Sequence, residues 1–211
     1  MISVDVWADV RCPWCWIGLR RLQRVGDGLN EPVRVRRRSF LLEPDGPVDP
    51  GRTTAEAAVS TWGMPPEQWE SRSQHIGIEG RREGLVIKIN TALIFDSNPV
   101  HRLLKLAAAT QAVDTEAAWE SAYAAHFGRN EDLGDPDVLR QLAAAWGLDG
   151  AETERALAGD RTGEVAGDLG EARRLRISSV PTIVSGDGRR ISGVAPPEEL
   201  VRFLTTEATV R

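Results

Sequence analysis

The chain has 211 residues, 41% of them hydrophobic, which is enough apolar content for one large domain, or for one domain carrying a substantial insertion, and too much for a disordered chain. Its formal charge of −5, with no basic segment interleaved with aromatics, argues against a nucleic-acid partner, and no apolar run approaches the length of a membrane span. Of the 26 Lys and Arg side chains only Lys88 and Lys105 are lysine, a compositional bias without functional content.

Ile2, Val4, Val6 and Ala8 alternate as a buried strand does, so residues 2–8 are predicted to be the first strand. A helical pattern follows over residues 12–27, and it opens on Cys12-Pro13-Trp14-Cys15, which holds both cysteines of the chain. With Cys12 as the helix cap, Pro13 falls at the first helical position, where its missing N–H costs nothing. The Cys12 sulfur is then expected to accept from the free N–H groups of Trp14 and Cys15. Those donors, with the positive end of the helix, pull a cysteine pKa from ~8.5 toward roughly 3.5–7.5. Cys12 is expected to be the exposed nucleophile. Cys15, Gly18, Leu19, Leu22 and Gly26 recur at spacings of three and four, which places Cys15 on the core-facing stripe as the resolving thiol and turns Arg20, Arg21 and Arg24 away. A structural zinc usually wants four ligands. There is no second cysteine pair, and His75, His101 and His126 lack ligand spacing, so redox chemistry is preferred and no metal is expected.

Residues 33–40 read as a second strand, with Val33 and Val35 on one face and arginines at 34, 36, 37 and 38 on a solvated sheet edge. Turn residues follow from Glu43 to Gly51. From residue 53 to about 160 the pattern is helical, broken at Pro65-Pro66, Asn98-Pro99, Gly128 and Asp135-Pro136. Here His126 and the tryptophans at 62, 69, 119 and 146 read as packing residues, and Gly84–Phe95 as a loop. A helix around 160–175 precedes Val180-Pro181-Thr182-Ile183-Val184 and Arg189-Arg190-Ile191-Ser192-Gly193-Val194, a hairpin about a Gly186-Asp187-Gly188 turn. Pro181 at the opening of a strand removes a ladder bond. It is either an edge proline or the second half of a cis Val180–Pro181 bond that frees the Val180 backbone for a substrate. Pro196-Pro197 then starts a closing helix whose Leu200, Val201, Phe203 and Leu204 are expected to pack inward.

This order of elements resembles the DsbA-like branch of the thioredoxin superfamily over essentially the whole chain. Cys12-Pro13-Trp14-Cys15-Trp16-Ile17-Gly18 together with Asn98-Pro99-Val100-His101-Arg102-Leu103-Leu104 is similar to the cytoplasmic FrnE-type subgroup. The resemblance implies an α/β protein with a thioredoxin-fold domain from residues 1–45 and 160–211, and a large all-α insertion at 46–159 between the second and third strands. It implies dithiol–disulfide exchange in which Cys12 attacks and Cys15 resolves, with no cofactor beyond the pair and a low-molecular-weight thiol left open as co-substrate. Pro13, Trp14, Val180, Pro181 and His101 would then border a thiol or disulfide substrate, protein or small molecule. Monomer and homodimer are both left open. The first strand starts too early for an export signal to precede it, so a cytoplasmic location is expected, where a cysteine pair is transient and catalytic rather than structural. Pro-Trp between the cysteines, where periplasmic oxidants have Pro-His, argues against a strongly oxidising role. The same fold includes kappa-class glutathione transferases and 2-hydroxychromene-2-carboxylate isomerases, which bind glutathione and have serine in place of Cys12. Their chemistry needs one activated group, so Cys15 favours redox. A purely binding role has no positive signal.

Overall fold

The computed structural model describes residues 1–206. Strand β1 (Ile2–Ala8) buries Val4, Val6 and Ala8, and lies between β2 (Val33–Ser39), which pairs with it in parallel, and the antiparallel β3 (Thr182–Ser185). β4 (Arg190–Ser192) completes the hairpin with β3, giving the sheet order β2-β1-β3-β4. The parallel pair needs a crossover, and helix α1 (Pro13–Asp27) supplies it. The hairpin turns at Gly188, whose φ of +84° suits a residue without a Cβ.

Between β2 and β3 the chain is helical: α2 (Thr54–Ser60), α3 (Pro66–Arg82), α4 (Asn98–Ala109), α5 (Thr115–Tyr123), α6 (Pro136–Ala145), α7 (Gly150–Ala158) and α8 (Thr162–Arg174), with α9 (Pro197–Thr205) closing the described chain. Their starts are written locally. Thr53 and Glu56 cap each other reciprocally at α2, and the carboxylates of Asp114, Asp135 and Asp149 take the free N–H groups that open α5, α6 and α7. α5 continues as a wider π-helical turn, Ala124–Arg129, which ends where Asn130 enters the left-handed region at φ +55°.

Two apolar cores meet along α1. Its C-terminal half sends Leu22 and Val25 against Val4, Val6 and Ile183 of the sheet and Leu200, Phe203 and Leu204 of α9. The N-terminal half, with Cys12, Cys15, Trp16, Ile17 and Leu19, is continuous with Val100, Leu103 and Leu104 of α4 and Trp119 and Tyr123 of α5. The cysteine pair therefore shares one apolar core with the insertion.

Several expectations are corrected by this packing. Arg21 does not point away; it is buried, and its guanidinium joins Glu83 at 2.6 Å and Glu79 at 3.1 Å, both at the end of or just past α3, and the Ala195 carbonyl at 3.1 Å. β2 is an edge strand and Arg34 and Arg36 are exposed on it, but Arg37 is buried, clasped by both oxygens of Glu116 at 2.7 and 2.5 Å. Arg38 meets Asp168 of α8 at 2.9 Å. α5 of the insertion and α8 thus cover the half of the edge that the sequence alone leaves to solvent. Within Gly84–Phe95 the chain makes a short 3₁₀ turn, Ile89–Thr91, and Leu93 bridges to Thr53. Trp62 and Val201 are exposed rather than packed inward.

Candidate active site

β1 delivers the chain to the site and α1 receives it. After Ala8 the backbone turns through Asp9, Val10 and Arg11, and the Cys12 N–H closes the turn on the Asp9 carbonyl at 3.1 Å. Cys12 is the extended cap residue of α1 with Pro13 at the first helical position, as its spacing predicts. Its sulfur behaves differently from the expectation. No side-chain capping bond forms, and Sγ instead donates to the Val180 carbonyl at 3.7 Å. Nor is Cys12 open to solvent: it is 6% exposed, against 1% for Cys15. Both thiols are free. Burial, and then the neighbouring Cys12, push the Cys15 thiol well above its ordinary range.

The Val180–Pro181 peptide is cis, and Pro181 is buried against α1. A Cβ on Gly18 would meet Pro181 Cγ at 3.0 Å, so the loop and the helix can touch because residue 18 has no side chain. Pro13 and Trp14 are half-buried at the helix start, and the Trp14 ring lies 5.3 Å from His75 of α3. Trp16 continues the aromatic layer behind the pair, near-parallel to Tyr123 at 6.2 Å and to Phe127 at 6.3 Å, with its indole N–H on Glu120 at 2.9 Å.

Cys12, Cys15, Pro13, Trp14, Val180 and Pro181 are thus brought together. His101 is not placed at a surface where it could meet substrate. It is fully buried in α4, with Nε2 3.3 Å from Asp9 Oδ1 and its ring edge-on to Trp119 at 5.3 Å. Its polar link toward the cysteines is Asp9, whose carbonyl accepts from the Cys12 N–H. That carboxylate, also fully buried, went unread in the sequence. Its oxygens accept from the N–H groups of Arg11 at 3.0 Å and Leu42 at 2.8 Å and from Ser97 Oγ at 3.3 Å, and its carbonyl accepts from Tyr123 at 3.3 Å. Burial pushes the Asp9 carboxyl up, but the bond and charge of His101 and the two N–H groups outweigh it and hold it below the ordinary range. One signal was available: Asp9 is a lone acid inside the apolar run Val6-Trp7-Ala8-Val10, where a carboxylate needs partners.

Residues 3–205 match the DSBA-like thioredoxin domain. The chain belongs to that family. Among solved structures, this DSBA-like chain superposes on a probable DsbA oxidoreductase from Streptomyces coelicolor with a TM-score of 0.91 at 27% identity, covering 100% of this chain and 94% of that one. It also resembles the cytosolic disulfide reductase DsbM from Pseudomonas aeruginosa, solved with GSH, at a TM-score of 0.65 and 20% identity over 96% of each chain. A 2-hydroxychromene-2-carboxylate isomerase matches at a TM-score of 0.66 and 14% identity over 95% of this chain and 92% of that one. At such identities these last two show the shared fold. Among curated proteins none matches.

Proposed function

We propose that this DSBA-like chain is a thiol–disulfide oxidoreductase in which Cys12 forms a mixed disulfide with substrate and Cys15 resolves it. The observation that carries this reading is the inequality of the two sulfurs. Cys12 stands at the helix start against the Val180 carbonyl, while Cys15 is sealed one turn behind it with its thiol pushed up by burial. A thiol that ionises reluctantly waits until the first sulfur is engaged. The reading needs no cofactor beyond the pair, takes a low-molecular-weight thiol as co-substrate, and places Pro13, Trp14, Val180 and Pro181 around the substrate sulfur. The residues 12–18 and 98–104 support the cytoplasmic FrnE-type subgroup.

Oxidised glutathione is the test. Added to the reduced protein, it should consume both thiols and leave an intramolecular disulfide without an adduct, seen by mass as the loss of two hydrogens. Glutathione bound with both thiols still free would overturn this reading and favour a glutathione-dependent isomerase or transferase, for which the isomerase-like fold already gives a precedent.

A further inference from the structure

The dipeptide between the cysteines has a neighbour that the exchange chemistry does not use. Trp14 is half-buried at the start of α1, and the ring that meets it, 5.3 Å away and tilted by 51°, is the imidazole of His75, an exposed residue of α3. Arg72 stands three residues earlier, which puts it on the same flank of the helix, and it too is exposed, with no acidic partner among the described residues. The arginines closer to the cysteines in sequence are committed: Arg11 to Glu43, Arg20 to Glu120, Arg21 to Glu79 and Arg24 to Glu83. The charged groups around His75 are Arg72 before it and Glu79 one turn after it on α3, with Arg21 of α1 and Arg82 of α3 both drawn onto that carboxylate. Positive charge is therefore left over on the flank of α3 beside Trp14, on a chain whose formal charge is −5.

We propose, resting on the redox reading above, that His75 and Arg72 are specificity residues that select low-molecular-weight disulfides carrying carboxylates beside the reacting bond. The physical reason is Coulombic. A thiolate and a carboxylated disulfide repel each other, and cations held beside Trp14 offset that repulsion where the two meet. The limit on size follows from burial: Cys12 is 6% exposed, so a slender disulfide reaches Sγ more readily than a folded protein surface does. Protonation of the imidazole as pH falls adds a second positive charge to that of Arg72, so the selection strengthens in acid. In the reaction that reports it, the Cys12 thiolate attacks one sulfur of the disulfide, and the Cys12–substrate bond forms as the substrate S–S bond breaks. The departing thiolate takes a proton from water. Cys15 then gives its proton to water and attacks Cys12 Sγ, which closes the intramolecular disulfide and releases the second substrate sulfur as a thiolate. The pair loses two electrons and the substrate gains them.

The test is the second-order rate at which the reduced protein is oxidised by three disulfides of similar size: 3,3′-dithiodipropionate, which is a dianion, 2-hydroxyethyl disulfide, which is uncharged, and cystamine, which is a dication. At low salt and about pH 6, Arg72→Gln and His75→Gln should each lower the ratio of the dianion's rate to the neutral disulfide's rate about threefold and raise the corresponding ratio for cystamine. Both changes should shrink in about 0.5 M salt. The wild-type dianion ratio should climb between about pH 7.5 and pH 6, while His75→Gln holds it flat and His75→Lys keeps it high at both. The ratio cancels the ionisation of Cys12, which all three disulfides share. A dianion ratio that either glutamine variant leaves unmoved, or equal slowing with all three disulfides, would make His75 and Arg72 packing residues and overturn this inference while leaving the exchange chemistry intact. Wild-type protein that none of the three disulfides oxidises would instead overturn the redox reading on which it rests.

Discussion

Cys12 and Cys15 differ by one helical turn, and their surroundings separate them further: the first touches the Val180 carbonyl, the second only core. Cys15 was legible from helical spacing alone, whereas the degree to which Cys12 is covered was not, because Val180, whose carbonyl its sulfur meets, is distant in sequence. The partners of Asp9 escaped for the same reason. His126 was read correctly as packing, edge-on to Phe95 at 5.0 Å, and its burial has a measurable cost. Burial, then the charge of Arg11, hold its imidazole down to about 3, against the ordinary 6.5. Between those values the unfolded chain binds a proton that the fold refuses, so stability rises with pH across the window. The contribution is whole above about pH 6.5 and shrinks as pH falls, by about 2 kcal/mol at pH 5. His126→Leu should flatten this dependence, measured as urea unfolding at pH 7 and pH 5. An unchanged slope would assign the acid lability to another group.

α1 illustrates what a helical pattern can and cannot report. Its apolar stripe was visible in Leu19, Leu22 and Cys15, and Pro13 marked its start. Arg21 was invisible as a buried residue because a guanidinium on a helix reads as solvent-facing until a partner is known. Here the partner is Glu83, whose side chain is 1% exposed, and the bond ties the cysteine helix to α3. Removing one member of a buried pair leaves the other charge stranded, at a cost of roughly 3–5 kcal/mol. Arg24 also reaches Glu83, at 2.9 Å, so Arg21→Ala should fall at the lower end, about 3 kcal/mol. The midpoint of urea unfolding reads this directly, and a loss below about 1 kcal/mol would place the pair with ordinary surface bridges. The arginines of β2 follow the same rule: Arg34 and Arg36 match the solvated edge read from the sequence, while Arg37 and Arg38 found acids on α5 and α8 that no local pattern could connect to them.

For the molecule as a whole, the α/β order with its helical insertion was legible because each element carries its own start signal and periodicity, from Pro13 to the Thr53–Glu56 box to the Gly188 turn. How the insertion meets the sheet domain was not, since that is a matter of packing between distant segments. One apolar cluster runs from Ala8 and Cys12 through α4 and α5, so the insertion shares the core in which the cysteine pair sits. The proposed division of labour between the sulfurs therefore depends on more than the cysteine helix, and trapping with a disulfide tests it most directly. Cys15→Ser and Cys12→Ser would each be incubated with oxidised glutathione and their intact masses measured before and after reduction. Cys15→Ser should carry a single reducible glutathione adduct at Cys12, and Cys12→Ser essentially none. Equal adducts on the two variants, or an adduct on Cys12→Ser alone, would contradict the assignment of Cys12 as the attacking sulfur and Cys15 as the resolving one.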